Sequence, residues 1–172
     1  MDEIQRAIKG DQKALEQILL ANAAYLERTA YLYLSRDEEV QDVLSETTLA
    51  AIRSIKTLKE PKYFRTWLTK LLIRQCFRRY AQQRVEPILV ADLPDVPVAG
   101  GDLTSEQKLD LLAGLRQLND ANRQVLLMHY YHGLTIWEIA QVTQLSPNTI
   151  KSQLLRGKQQ LKQWLGDDYF AN

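Results

Sequence analysis

The chain has 172 residues, 45% hydrophobic and 25% charged, with a formal net charge of +1; this is the composition of a soluble globular protein with room for one domain or two small ones. It contains no run of about eighteen apolar residues, so no helix is expected to span a membrane. The acidic start MDEIQRAIKG does not fit an export signal, and the single cysteine, Cys76, excludes an intramolecular disulfide and points to a reducing cytoplasm.

From the N-terminus the pattern is helical and shows no strand-like alternation. Gly10-Asp11 breaks a short first helix and caps a second, in which Leu15, Leu19, Leu26, Ala30 and Tyr33 recur at helical spacing. Ser35 and Glu38 have the spacing of a capping box, opening a helix with Val40, Val43, Leu44, Thr47, Ala51 and Ile55 on one side. Asp42 and Glu46, four apart with Ser45 beside them, share the outer face of that helix; they suit a basic protein partner. Asp37, Glu38 and Glu39 lie in the first turn, where acids complement the helix dipole. A bundle of about four helices fits residues 1–84.

Glu60-Pro61 marks the entry to a long helix from about Lys62 to Arg84. It carries Lys62, Arg65, Lys70, Arg74, Arg78, Arg79 and Arg84 without one acid. Tyr63, Phe64, Trp67, Phe77 and Tyr80 are interleaved with these cations. Cations that follow phosphates and rings that stack on bases are what unpaired nucleic acid requires. Phe64, Trp67, Leu68 and Leu71 also have the spacing of a core stripe, and the arginines are the residues assigned to nucleic acid.

Charge divides the chain. Residues 1–84 hold 15 Lys/Arg against 11 Asp/Glu, and residues 105–172 hold 7 against 6. Between them 85–104 has no Lys or Arg against Glu86, Asp92, Asp95 and Asp102, with three prolines and two adjacent glycines. Such a stretch reads as a linker, longer than most loops inside one domain. Two helical domains are therefore expected, 1–84 and 105–172.

In the second domain, Thr135 and Glu138 form another capping box for a helix over Ile136–Thr143. Ser146-Pro147 then starts a second helix, Ser as N-cap and Pro at the first helical position. Two start signals about eleven residues apart predict a helix-turn-helix. Ile150, Leu154, Gly157 and Leu161 form the inward stripe of the second helix. Asn148, Thr149, Lys151, Ser152, Leu155, Arg156, Lys158 and Gln159 lie on or beside its outer stripe, with no carboxylate before Asp167. That face can hydrogen-bond base edges and phosphates. Leu155 either meets a thymine methyl or widens the core stripe. His129 and His132 lack further ligands for a metal. No nucleophile–base pair or phosphate loop supports an enzyme, and no cofactor or small-molecule substrate is expected.

These parts, in this order, resemble a bacterial RNA polymerase sigma factor of the extracytoplasmic-function group in the sigma-70 family. The resemblance covers about 10–84 and 105–165. VQDVLSETTLAAIRSI resembles the segment that grips the clamp helices of the largest polymerase subunit, with Asp42 and Glu46 at its acidic positions. KYFRTWLTKLLIRQC resembles the stretch that opens and reads the −10 element, with Phe64, Trp67 and Leu68 matching. NRQVLLMHYYHGLTIWEIAQVTQLSPNTIKSQLLRGKQQL resembles the −35-reading domain at Arg123, Gly133, Glu138, Ile139, Ala140, Thr149, Lys151, Ser152, Leu154 and Arg156. Ser45 stands where the family usually has Gln, Arg74 and Arg78 where it has Asn and Asp, Asn148 where Gly is common, and Asn119 where Pro is common.

The resemblance implies a cytoplasmic initiation factor whose partners are core RNA polymerase (the clamp helices and the flap), promoter DNA and an anti-sigma factor. It implies polymerase binding by Asp42, Ser45 and Glu46. Contact with the −10 element falls to Lys56, Lys59, Lys62, Tyr63, Arg65, Trp67, Lys70, Arg74 and Arg78. Contact with the −35 element falls to Asn148, Thr149, Lys151, Ser152, Leu155, Arg156 and Lys158. From the residues alone two other classes stay open: a dimeric operator-binding regulator, and a helical interaction module that never touches DNA.

Overall fold

The computed structural model describes residues 2–34, 36–83 and 105–166, and the chain divides into two compact units, Met1–Ile88 and Leu89–Asn172. Every regular element among the described residues is helical. The acidic segment 85–104 lies outside the described residues, as does Ser35.

In the first unit, α1 (Glu3–Ile8) and α2 (Gln12–Tyr31) are separated by a tight turn. Gly10 turns the chain at φ +102°, which a side chain would resist. Asp11 then caps α2, its Oδ1 accepting from the Ala14 N–H at 3.1 Å while Oδ2 pairs with Arg6 at 2.6 Å. Those contacts hold the Asp11 carboxyl below its ordinary pKa, the Ala14 N–H contributing most.

Helix α3 (Asp37–Ser54) begins one residue later than the Ser35–Glu38 spacing predicts. Arg36 is its N-cap and makes no side-chain cap bond. Its start is supported from outside, by the Tyr31 hydroxyl donating to Asp37 Oδ1 at 2.9 Å, and by acids at the first turn.

The long basic helix also starts later than the composition suggests. Pro61–Tyr63 form a turn of 3₁₀ helix, and α4 runs Phe64–Gln83. Its buried stripe is Phe64, Leu68, Leu72, Ile73 and Cys76, whereas Leu71 and Trp67 are only half-buried. The stripe at 64, 68, 72 and 76 advances by four, so it is rotated from the expected 64, 67, 68 and 71. It meets Val40, Val43, Thr47 and Ala51 of α3, and Leu15, Ile18, Leu26 and Ala30 of α2, in the core. Tyr33, just past α2, packs its ring 6.2 Å from that of Phe77. Burial pushes the Cys76 thiol up, so it stays protonated and inert.

The second unit contains α5 (Ser105–Arg116), α6 (Asp120–Leu126, continued by a π-turn over Leu127–Tyr131), α7 (Ile136–Thr143) and α8 (Pro147–Leu165). Asn119, in place of a proline, caps α6 by accepting from the Asn122 N–H at 2.9 Å. Arg123 is buried because its two ends are used: Nη1 donates to the Leu118 carbonyl at 3.3 Å and Nη2 pairs with Asp120. Helix α8 packs against α5, α6 and α7, with Ile150, Gly157 and Leu161 facing inward.

Candidate nucleic-acid interface

The helix-turn-helix is held by two local caps. Thr135 Oγ1 accepts from the Glu138 N–H at 3.3 Å, and Glu138 Oε2 accepts from the Thr135 N–H at 2.8 Å, closing the capping box of α7. Gln144 ends the helix at φ +60°, a left-handed turn made here without glycine. Ser146 Oγ then accepts from the Thr149 N–H at 3.1 Å and starts α8. Ile139 and Val142 of α7 close over the α8 side that carries Ile150.

The opposite side of α8 faces solvent. Asn148, Thr149, Lys151, Ser152, Leu155, Arg156 and Lys158 are all exposed, from one end of the helix to the middle. Leu155 is 59% exposed and Leu161 5%. The leucine that the pattern left open therefore stands on the outer face and not in the core. A helix face with cations, amide and hydroxyl groups, one exposed methyl cluster and no carboxylate can touch phosphates and base edges together.

In the first unit the basic residues divide into three groups. Trp67, Lys70, Arg74 and Arg78 are spaced three, four and four apart, so they form one stripe of α4. Arg74 and Arg78 are exposed; Trp67 is half-buried, its ring 5.8 Å from that of the buried Phe64. Arg65 lies off this stripe. Its guanidinium sits 4.1 Å from the centre of the Tyr25 ring, and the Tyr25 hydroxyl is 2.8 Å from Thr69 Oγ1. Lys56, Lys59, Lys62 and Tyr63 are exposed on the connection between α3 and α4, Lys62 Nζ lying 4.9 Å from the Tyr63 ring centre.

The acidic face of α3 adjoins this surface. Asp42 is exposed and Glu46 half-buried, with Ser45 exposed between them, its hydroxyl donating to the Gln41 carbonyl at 3.0 Å. Both carboxylates pair with α4: Glu46 with Arg78 at 2.6 Å and Asp42 with Arg79 at 2.9 Å. Sequence spacing could not show these pairs, since the partners lie more than thirty residues apart. It also missed Tyr25, the ring under Arg65, and Trp137, which is 71% exposed on α7. The latter was legible: Trp137 falls on the helix face opposite Ile139 and Val142.

Compared with protein families, residues 18–85 match the model of sigma-70 region 2 and residues 108–161 that of sigma-70 region 4. The chain belongs to the sigma-70 family. Its curated relatives place it in the extracytoplasmic-function group, and a member of this family is a transcription initiation factor, not an enzyme. The extracytoplasmic-function sigma factor SigW of Bacillus subtilis is 24% identical, over 95% of this chain and 95% of that protein. SigV of the same organism is 25% identical over 75% of this chain and 77% of its own length. CnrH of Cupriavidus metallidurans is 24% identical over 95% and 92%. Among solved structures, CnrH in complex with the cytosolic domain of CnrY has a TM-score of 0.54 at 21% identity, covering 96% of both chains. The sigma factor RpoE of Bartonella quintana, solved with the anti-sigma factor NepR, has the same TM-score and identity over 91% of this chain and 99% of that one. Both show the two-domain helical fold.

Proposed function

We propose that the protein binds core RNA polymerase and directs it to promoters by reading their −35 and −10 elements. The observation that carries this reading is the outer face of α8. Seven residues able to touch DNA lie exposed on the second helix of a fully capped helix-turn-helix, inside the segment that matches sigma-70 region 4. The recognition helix of such a motif enters the major groove. Lys151, Ser152, Leu155 and Arg156 share the contacts to base edges and the adjoining phosphates, with Asn148, Thr149 and Lys158 beside them.

The downstream element falls to the first unit, within the region 2 match. The α3–α4 connection with Lys56, Lys59, Lys62 and Tyr63 recognises the opened strand. Lys70, Arg74 and Arg78 of the α4 stripe follow its phosphates with Arg65, and the Trp67 ring on that stripe stacks on a base. Unstacking a base costs a few kcal/mol, and each ring that stacks on one returns about 1–3 kcal/mol. Asp42, Ser45 and Glu46 form the contact with the clamp helices of the polymerase. The protein acts in the cytoplasm, where polymerase and chromosome are. No helix among the described residues is long and apolar enough to cross a membrane.

Control by an anti-sigma factor is part of the proposal, supported by the family and by the complex in which the Bartonella relative was solved. Reconstituted transcription tests the whole reading. Promoter-specific transcripts should arise only with core polymerase and this protein together, the protein alone binding DNA weakly. Tight binding of the isolated protein to palindromic operators would overturn it.

A further inference from the structure

The two ion pairs between α3 and α4 join groups that serve different partners. Arg78 Nη2 lies 2.6 Å from Glu46 Oε2, and Arg79 Nη2 lies 2.9 Å from Asp42 Oδ2. Asp42 and Glu46 are one helical turn apart on α3, and Arg78 and Arg79 are adjacent on α4, so the two pairs bridge the helices within a single turn of α3. The helices do not need this bridge to associate, since α3 and α4 already pack through Val43, Thr47 and Ala51 on one side and Leu68, Leu72 and Cys76 on the other.

An arginine edge held by a carboxylate is not free for a phosphate, and that carboxylate is not free for a cation of a protein partner. The Arg78 and Glu46 side chains are 60% and 43% exposed. Water and salt therefore screen this pair, and it opens at small cost.

We infer that Arg78 and Arg79 are positioning residues of the acidic α3 surface, and that through them polymerase binding and nucleic-acid binding are linked. In the free protein the two sets of charges neutralise each other. A partner that opens a pair from one side exposes the charge that the other partner uses. Because the linkage is thermodynamic it acts equally in both directions. An exposed pair of this kind makes it worth about two- to fivefold in affinity. The inference rests on the assignment of Asp42 and Glu46 to the polymerase.

The test uses the full chain and two titrations. With a thymidine 20-mer as single-stranded probe, Glu46→Gln should bind about two- to fivefold more tightly than wild type. Its plot of log affinity against log salt should be steeper by about 0.7, one further phosphate contact. Glu16→Gln removes the same charge from α2 and should keep the wild-type slope. With core polymerase and no DNA, Arg78→Gln should bind about two- to fivefold more tightly, and Arg78→Lys should return to the wild-type value. Unfolding midpoints establish that each variant is folded. A wild-type salt slope in Glu46→Gln, or no tightening in Arg78→Gln, overturns the linkage. If Glu46→Gln weakens polymerase binding while Arg78→Gln does not tighten it, only the linkage falls. Polymerase binding unchanged in Glu46→Gln removes the surface assignment itself, and the linkage with it.

Discussion

A methyl group placed on Gly157 would stand 2.9 Å from Leu126 Cδ1 and 3.2 Å from Asn122 Cβ. Helix α8 therefore crosses α6 so closely that an added methyl has to displace the end of the Leu126 side chain, which is itself buried. Gly157→Ala gains helix propensity, about 1 kcal/mol, and incurs an overpacking penalty of about 1–3 kcal/mol. A net loss of about 1 kcal/mol is expected in the second unit, read as a lower unfolding midpoint. A midpoint equal to or above wild type would show that α6 and α8 can separate freely.

Leu155 and Ile150 separate recognition from folding on one helix. Ile150 is fully buried and Leu155 is 59% exposed. Ile150→Ala should cost about 2–5 kcal/mol of stability. Leu155→Ala should change stability by less than about 0.5 kcal/mol while reducing discrimination at one −35 base pair by about 1 kcal/mol, the worth of a lost apolar contact with a thymine methyl. Thermal unfolding and transcription from a panel of single-base promoter variants measure the two effects. A Leu155→Ala protein with wild-type promoter preference would show that the exposed leucine reads nothing.

Lys151 and Arg156 are expected to differ in kind if one meets phosphate and the other a base edge. A phosphate contact weakens binding uniformly across sequences when lost, and lowers the salt slope by about one. A base contact relaxes specificity at one position at a cost of about 1–3 kcal/mol. Lys151→Ala and Arg156→Ala in the holoenzyme, titrated on consensus and substituted −35 elements at several salt concentrations, show which is which. Loss of neither affinity nor slope in both would remove α8 from the DNA.

Acid should destabilise the second unit through His132. Burial lowers its pKa to about 3, against an ordinary value near 6.5 in the unfolded chain. Between those values the unfolded state binds the extra proton, so stability is complete above about pH 6.5 and is lost as pH falls toward 3. The loss should reach about 1–2 kcal/mol at pH 5, before most carboxylates titrate. His132→Asn should be less stable at pH 7 and flatter between pH 7 and pH 5. An unchanged pH dependence in that variant would assign the acid sensitivity elsewhere.

What the amino-acid sequence determined by itself was local. The capping box of Thr135 and Glu138 and the Ser146-Pro147 start each depend on residues within three positions, so the starts of both helices of the helix-turn-helix were legible. The cations of α4 were legible as well, because charge needs no neighbour to be counted. The start of α3 shows the limit: Ser35 and Glu38 have the right spacing, yet the helix begins from Arg36, with Tyr31 of α2 bonded to its first residue. Packing decided the rest. Periodicity places Leu154 on the inward stripe and leaves Leu155, on the neighbouring one, to meet DNA or to widen the core; only the packing of α8 on α5, α6 and α7 leaves Leu155 outside. Likewise Arg78 read as a free cation until the fold laid α4 along α3 and set it against Glu46. Contacts between residues this far apart in the chain exist only once the helices have chosen their crossing, which is a property of the whole core and of no single segment.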